Sequence, residues 1–161
     1  SAFENADIVC FNAYFMCDYI SRMELEIYQT LANDLNEYRN YFGTKPIIMS
    51  EFGRQGIKGI HGDVFYSEEW QAAYLENNWR AIMGNPKISG GIVWCWADYD
   101  HEPHFALLKS YRFYGVTNAN YGSFGVVTAD RKHKKSLKSL ARMYGGAIQY
   151  GGNNVGLVDS N

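Results

Sequence analysis

The sequence predicts an α/β fold in which parallel strands alternate with helices. Three apolar runs, beginning near residues 7, 46 and 90, have the continuous hydrophobicity of buried strands. They start about 40 residues apart, which leaves room for a loop and a helix between consecutive strands. A complete β/α barrel takes about 250 residues or more. With three such units in 161 residues, the chain is predicted to be the C-terminal part of a barrel, a partial TIM (β/α)8 barrel with long loops.

The first half of the chain predicts two strands with a helix between them. The first strand covers residues 7–11, and the helix covers residues 23–42. Its apolar residues recur every three or four positions: Ile27, Leu31, Leu35, Tyr38 and Phe42. Gly43 ends the helix, since glycine is common just past a helix C-terminus. The second strand, 46–50, runs directly into Glu51, at the end of the sheet where β/α barrels keep their chemistry.

The middle of the chain predicts the second helix and the third strand. A glycine-rich loop follows Glu51, and Ser67 is the predicted N-cap of a helix over 68–83. Acidic residues in its first turn favour this start, because they interact well with the helix dipole. Gly84 ends the helix, and a buried strand is predicted over 90–95.

The last third predicts loops and one more helix. Residues 97–125 show no clean periodicity and are predicted to be a long loop over the active face, with a short strand at 125–128. A helix follows over 132–144, ended by Gly145-Gly146. We therefore predict one domain over residues 1–146. Residues 147–161 are predicted to be a tail or linker, because they are rich in glycine and asparagine and have little to bury.

The composition is that of a globular domain, with 47% hydrophobic residues, 20% charged residues and a net charge of −2. This balance gives no general attraction to nucleic acid or to anionic membranes, and no apolar run approaches the ~20 residues of a membrane helix. Three cysteines lie in or beside apolar runs and are predicted to be reduced and structural. Aromatic residues make up 16% of the chain, which fits either carbohydrate binding or an aromatic-rich core. The chain begins without methionine, so we expect it to be cut or processed from a longer polypeptide whose compartment stays open.

Four segments, taken together and in order, resemble the catalytic barrel of family 2 glycoside hydrolases, the family of β-galactosidases and β-glucuronidases. The segments are Asn12-Ala13-Tyr14, Ser50-Glu51-Phe52-Gly53, Trp94-Cys95-Trp96-Ala97-Asp98 and Gly125-Val126-Val127-Thr128-Ala129-Asp130-Arg131-Lys132. No segment alone is specific, whereas all four in this order and at this spacing are fairly specific. The resemblance covers roughly residues 5–145 and implies that the three strands are the sixth, seventh and eighth of the barrel.

The resemblance also implies a role for each strand end. Glu51 matches the catalytic nucleophile, and Tyr14 matches the tyrosine that holds this carboxylate by a hydrogen bond. Asn12 matches a polar group that lines the sugar site, and Trp94 matches the tryptophan that forms its floor. From the residues alone, a structural role stays open for each: a salt bridge for Glu51, core packing for Tyr14 and Trp94, and a turn cap for Asn12.

One part of the expected machinery has no match in the chain. Retaining glycosidases need a second carboxyl as general acid and base, ~5–5.5 Å from the nucleophile. In the resembled family it follows an asparagine at the end of the fourth strand. Asn36-Glu37 lies inside a predicted helix, and Phe3-Glu4-Asn5 has the wrong order. We therefore expect the acid/base, the first half of the barrel and β-sandwich domains before Ser1, and an isolated chain that is inactive and self-associates.

The predicted substrate is a neutral sugar. β-Glucuronidases of the family carry an Asn-x-Lys motif whose lysine pairs with the sugar carboxylate. The matching stretch here, Tyr121-Gly122-Ser123-Phe124, has neither residue. The resemblance therefore implies a retaining exo-glycosidase for neutral hexosides, most often β-galactosides, with β-mannosides and β-glucosides open and no cofactor. The alternative is a non-catalytic carbohydrate-binding or structural module derived from such a barrel.

Two further groups of residues are weaker candidates. His61, Arg54, His101 and His104 lie in loops and are predicted to be polar loop residues or, for the first three, substrate contacts rather than metal ligands, since helical ligand spacing is absent. A basic run over residues 131–142 would suit nucleic acid. We predict instead that it is the solvated face of the last helix, because Leu137 and Leu140 interrupt it.

Overall fold

The computed structural model describes residues 5–15, 17, 19–99 and 122–149. Its element order along the chain is strand and helix in alternation, as the sequence predicts. The elements are β1 (Val9–Asn12), α1 (Ile20–Phe42), β2 (Ile47–Phe52), α2 (Glu68–Met83), β3 (Ile88–Val93) and α3 (Lys135–Gln149). Among the described residues, no helix is both long enough and apolar enough to span a membrane.

The three strands form one parallel sheet in the order β1-β2-β3. Parallel neighbours in chain order, each pair joined through a helix, are the βαβ units that the spacing predicts. The register pairs Val9 with Ile47 and Asn12 with Glu51, so the carboxyl ends of β1 and β2 meet. The α/β class is therefore confirmed, with three parallel strands and three helices, as in part of a barrel.

The core lies between one face of this sheet and the helices. Val9, Phe11, Ile47 and Met49 are buried on the sheet side. The helices contribute the remaining large side chains of the core, among them Met23, Ile27, Leu31, Leu35, Trp70, Tyr74 and Ile82. These positions in α1 and α2 follow the predicted 3.6-residue period, and burial of this apolar stripe drives the helices onto the sheet.

The described part of the chain leaves the other face of the sheet open, whereas the sequence predicted buried strands. Cys10 is exposed, and Ile92 keeps 57% of its surface in contact with solvent. Gly91, beside Ile92, faces α2 so closely that a Cβ would lie 2.7 Å from Ile82 Cδ1. The strands therefore alternate between a covered face and an uncovered one, as in a sheet packed on one side only.

The helix termini agree with the sequence at three places. Gly43 follows α1 with φ of 65°, a left-handed conformation that favours glycine. Ser67 caps α2, because the N–H of Trp70 donates to its Oγ at 3.0 Å. Gly84 follows α2, and its N–H donates to Arg80 O at 2.8 Å.

Several predicted bounds are wrong. β3 ends at Val93, so Trp94 follows the strand instead of lying in it. Residues 125–128 form isolated bridges at Val127 rather than a strand. α3 begins at Lys135 and continues through Gly145-Gly146 to Gln149, whereas the sequence predicted a helix over 132–144. His101, His104 and the tail from residue 150 lie outside the described residues.

Candidate functional site

The carboxyl ends of β1 and β2 bring Tyr14 and Glu51 into direct contact. Tyr14 Oη donates a hydrogen bond to Glu51 Oε2 at 2.5 Å. The backbone repeats this pairing, because Ala13 N donates to Glu51 O at 2.9 Å. Both residues are partly buried. The two chain segments that the sequence singled out therefore meet at one point, with a carboxylate fixed by a neighbouring phenol.

The environment keeps Tyr14 in its neutral, hydrogen-donating form. Burial raises the pKa of Tyr14, and the hydrogen bond to Glu51 and the charge of that carboxylate raise it further. Tyr99 lies in the same electrostatic environment. Burial and the neighbouring Cys95 raise the pKa of Tyr99 to about 12, and the charge of Glu51 adds to this shift. Both hydroxyls therefore remain protonated beside the carboxylate at neutral pH.

Asn12 lies at the same edge of the sheet, beside Ser50. Ser50 Oγ is 2.8 Å from Asn12 Oδ1 and 3.1 Å from the backbone oxygen of Phe11, and its single proton can be donated to either. Asn12 is exposed on the uncovered face. Its amide therefore faces outward beside the Tyr14–Glu51 pair, with its oxygen next to the serine hydroxyl.

Arg54 fixes the backbone that carries Tyr14. Its Nη2 donates to Tyr14 O and Phe15 O, both at 2.9 Å, and its guanidinium carbon lies 5.9 Å from the centre of the Tyr74 ring. Charge-assisted bonds to two successive carbonyl groups hold this turn strongly. The sequence predicted that Arg54 is a polar loop residue or a substrate contact. In the structure the Arg54 guanidinium instead holds the backbone carbonyl groups of Tyr14 and Phe15.

Trp94 follows β3 and remains bonded to the end of β2. The backbone N–H of Trp94 donates to Phe52 O at 2.8 Å, and the Trp94–Cys95 peptide bond is cis. The close approach requires glycine at position 53, since a Cβ there would lie 2.0 Å from Trp94 O. The indole is 37% exposed and meets the ring of Tyr99 edge-on, with centroids 6.2 Å apart. Trp94 is therefore bonded to Phe52, the residue that follows Glu51, and its side chain stays partly accessible.

The segment 122–127 completes this edge. It pairs with the chain after β3: Cys95 N donates to Phe124 O at 3.3 Å, and Tyr99 N donates to Gly122 O at 2.9 Å. Phe124 presents its ring to Tyr14 in a T-shaped contact, with centroids 6.4 Å apart. An aromatic ring therefore lies next to Tyr14, the hydrogen-bond partner of Glu51.

The sequence identified most of this edge. The structure brings together Tyr14, Glu51, Asn12 and Trp94, the four predicted site residues. His61 instead lies 3.3 Å from Glu69, in the loop before α2. Cys10, Cys17 and Cys95 form no disulfide bond. Sequence reasoning missed Tyr99. Its position four residues after Cys95, near the predicted Trp94, is the one feature of the sequence that could have pointed to it. Sequence reasoning also missed Lys134, which it assigned to a solvated face. No group of three or more potential metal ligands occurs among the residues that the structure describes.

Residues 2–148 match the model of a family described as Glycosyl hydrolases family 2, TIM barrel domain. The chain belongs to this family. A β-glucuronidase of Mus musculus is 37% identical over 99 residues, which are 58% of this chain and 15% of the mouse protein. A β-glucuronidase of Paenibacillus borealis is 30% identical over 147 residues, 89% of this chain and 22% of that protein.

A solved structure with the same fold carries a glucuronide. It is the β-glucuronidase of Bifidobacterium dentium complexed with coumarin-3-O-glucuronide, with a TM-score of 0.66 and 26% identity over 88% of this chain and 21% of that one. This family 2 chain therefore spans about a fifth of the length of the relatives it matches. The predicted family and the TIM barrel domain are confirmed. The relatives named here are β-glucuronidases, whereas the sequence favoured a β-galactosidase.

Proposed function

We propose that this chain carries the nucleophile of a retaining β-glycosidase and that Glu51 is that nucleophile. The observation that supports this most is the 2.5 Å hydrogen bond from Tyr14 Oη to Glu51 Oε2 at adjacent carboxyl ends of parallel strands. Active sites of β/α barrels lie at this end of the strands. In this proposal β1, β2 and β3 are the sixth, seventh and eighth strands of the barrel.

The chemistry requires an ionised carboxylate opposite the leaving group. One oxygen of Glu51 attacks the anomeric carbon as the glycosidic bond breaks, and a covalent glycosyl-enzyme forms through an oxocarbenium-like transition state. Water then attacks the same carbon and releases the sugar with retained configuration. Tyr14 holds the other oxygen by its hydrogen bond, so the attacking oxygen is oriented before the sugar binds.

The acid/base carboxyl comes from another part of the protein in this proposal. Glu37, in the only Asn-Glu pair of the sequence, is exposed on α1 rather than at a strand end. The aglycone oxygen must be protonated as the bond to the anomeric carbon breaks, and Tyr14 cannot take this role because its pKa is raised. The activity therefore belongs to the full polypeptide, and this chain supplies the nucleophile side.

The sugar is a neutral hexose, and a β-galactoside is the substrate that we propose. The residue just before Gly125 is Phe124, which places a ring and not an ammonium beside Tyr14. Two nearby cations already have partners: Arg54 binds backbone carbonyls, and Lys134 binds Asp98. A uronate carboxylate bound here without a cation would carry a desolvation cost of several kcal/mol.

A second candidate is a β-glucuronide. The relatives in mouse and Paenibacillus borealis bear the name β-glucuronidase, and the Bifidobacterium dentium structure holds a coumarin glucuronide. These names favour a uronic acid as the sugar. Trp94, Asn12 and the Tyr14–Glu51 pair would serve either sugar, so the two candidates differ only in what binds the group at C6.

The test of the nucleophile uses the longest polypeptide that the gene encodes. Glu51→Gln should lower kcat by about a thousandfold or more with folding unchanged, because the amide cannot form the glycosyl-enzyme. A fluorosugar inactivator should label the peptide that contains Glu51 in the wild-type protein. Glu24→Gln, exposed on α1, is the matched control and should keep full activity.

Two results would contradict the proposal. Labelling of a different carboxylate would move the nucleophile elsewhere. A wild-type polypeptide that binds sugars but hydrolyses no aryl β-glycoside would favour the alternative of a non-catalytic carbohydrate-binding module.

A further inference from the structure

Lys134 is a buried cation in a run of otherwise exposed ones. Arg131, Lys132, Lys135 and Lys138 are exposed, whereas the side chain of Lys134 has 0% of its surface accessible. Lysine is almost never fully buried unless it is paired. Lys134 precedes the first residue of α3, and its side chain extends into the region between the loops that follow β2 and β3.

The ammonium group bonds three different chain segments. Nζ lies 2.6 Å from Asp98 Oδ1, 2.6 Å from Gly56 O and 3.2 Å from Ser123 O. These three contacts match the three donors of an ammonium group. Asp98 Oδ1 also accepts from Gly125 N at 2.8 Å. We call Lys134, Asp98 and the two carbonyl groups the Lys134 clamp.

Each segment of the Lys134 clamp carries or adjoins part of the candidate site. Gly56 lies in the loop that leaves β2 just after Glu51. Asp98 lies four residues after Trp94, and Ser123 precedes Phe124, whose ring meets Tyr14. A further bond joins two of these segments, since Gly56 N donates to Ser123 O at 2.9 Å. The clamp therefore sets the positions of the segments that bear Trp94 and Phe124 relative to the strand that bears Glu51.

A gain in folding stability alone is a weak explanation for a buried ammonium group at Lys134. Burial lowers the pKa of Lys134, although the Asp98 carboxylate acts in the opposite direction, so desolvation opposes the charged form. Replacing a buried ion pair by apolar side chains of similar volume is often neutral or stabilising. What an apolar side chain cannot do is hold two carbonyl oxygens and a carboxylate at fixed distances.

We propose that Lys134 is a positioning residue, which holds the Trp94 and Phe124 segments at the distance from Glu51 that sugar binding requires. This inference rests on the proposed function, because it assumes that the Tyr14–Glu51 edge binds a glycoside. It adds a residue that touches neither the sugar nor the nucleophile and acts through the loops around them.

The experiment compares four forms of the longest polypeptide that the gene encodes. Lys134→Met removes the charge and the three bonds. Lys135→Met is the matched control, since Lys135 Nζ pairs with Glu69 at the surface and is 53% exposed. The double variant Lys134→Met with Asp98→Asn removes both charges and keeps an oxygen for Gly125 N. KM and kcat on an aryl β-glycoside, calorimetric binding of the corresponding glyconolactone, and Tm are measured for each.

We expect Lys134→Met to raise KM and the lactone dissociation constant by about tenfold, with a smaller change in kcat, while Lys135→Met stays at the wild-type values. The double variant should regain Tm relative to Lys134→Met, because no unpaired charge stays buried, yet keep the raised KM. A KM that returns together with Tm would show a structural role only. A wild-type KM in folded Lys134→Met would also overturn the proposal. A wild-type polypeptide that neither hydrolyses nor binds the sugar would overturn the proposed function itself.

Discussion

At the scale of single residues, Phe124 is the side chain that separates the two candidate sugars. Its ring lies beside Tyr14, with 6.4 Å between centroids. It also lies in the stretch where the family resemblance would place the lysine of a β-glucuronidase. We expect the full polypeptide to have a higher kcat/KM on nitrophenyl β-galactoside than on the β-glucuronide, because an unpaired carboxylate in a partly desolvated site costs several kcal/mol. Parallel initial-rate measurements on the two substrates check this.

Phe124→Lys extends the test, since it puts an ammonium beside Tyr14 without altering Glu51. It should raise kcat/KM on the glucuronide relative to the galactoside by about tenfold, the effect of one partly screened ion pair. Phe124→Met controls for loss of the ring and should leave the ratio of the two substrates near its wild-type value. A wild-type enzyme that clearly prefers the glucuronide would show that another group binds the uronate.

The residues that the sequence identified and those that it missed differ in a physical respect. Glu51 stood out because it ends an apolar run, and Tyr14 stood out through the family resemblance; parallel register then explains why the two strand ends meet. Lys134 did not stand out, since its neighbours are surface cations and nothing local indicates that one of them turns inward. Its burial depends on Asp98 and Gly56, which are distant in sequence. Long-range partners decide such positions, and a one-dimensional pattern does not contain them.

At the scale of elements, the start of α2 is joined to the start of α3 through Glu68. The Glu68 carboxylate, 1% exposed, accepts from Gly59 N at 2.9 Å and from Lys135 N at 2.8 Å, and it lies 3.2 Å from Lys58 Nζ. Burial alone would raise the pKa of Glu68, but these hydrogen bonds and the Lys58 charge outweigh it and hold the pKa below its ordinary value. The ionised form therefore stabilises the contact between the two helices and the loop after β2.

We expect Glu68→Gln to lower the free energy of unfolding by about 2 kcal/mol at pH 7, the value of hydrogen bonds to a charged group. Because the folded pKa is depressed, this stabilisation is present above the unfolded pKa of 4.5 and is lost as pH falls through the folded value. Urea denaturation of the wild type and of Glu68→Gln should therefore show a difference in free energy of unfolding that narrows below pH 4.5. Glu24→Gln, exposed on α1, should have the same free energy of unfolding as the wild type, both at pH 7 and below pH 4.5. A difference that widens on acidification would contradict the assignment.

The element boundaries show where local preference gives way to packing. Gly145-Gly146 was predicted to end the last helix, since each glycine in a helix costs about 1 kcal/mol relative to alanine. α3 nevertheless continues to Gln149. Just before the glycines, Met143 is buried and Tyr144 packs against Trp79 with ring centroids 5.0 Å apart. The tertiary contacts of Met143 and Tyr144 outweigh the low helix propensity of the two glycines that follow them.

At the scale of the whole molecule, the decisive feature is a sheet that is packed on one face and open on the other. Its outer strands, β1 and β3, each pair with β2 on one side only within the described part of the chain. On the open side, Cys10 is exposed and Ile92 is 57% exposed. Unpaired strand edges and exposed apolar side chains on a sheet face promote association between copies.

We therefore expect the 161-residue chain, expressed alone, to self-associate rather than remain monomeric. Ile92→Lys should reduce the association, because it places a charge on the open face, where a second copy would have to desolvate it. Leu25→Lys is the matched control. Leu25 is 62% exposed but lies on α1, on the far side of the core from the open face, so the lysine there should leave association unchanged.

Light scattering coupled to size exclusion over a concentration series gives the mass of each form. A wild-type chain that stays monomeric throughout would show that the open face is not an association surface. Equal effects of the two lysines would assign any association to general surface hydrophobicity instead.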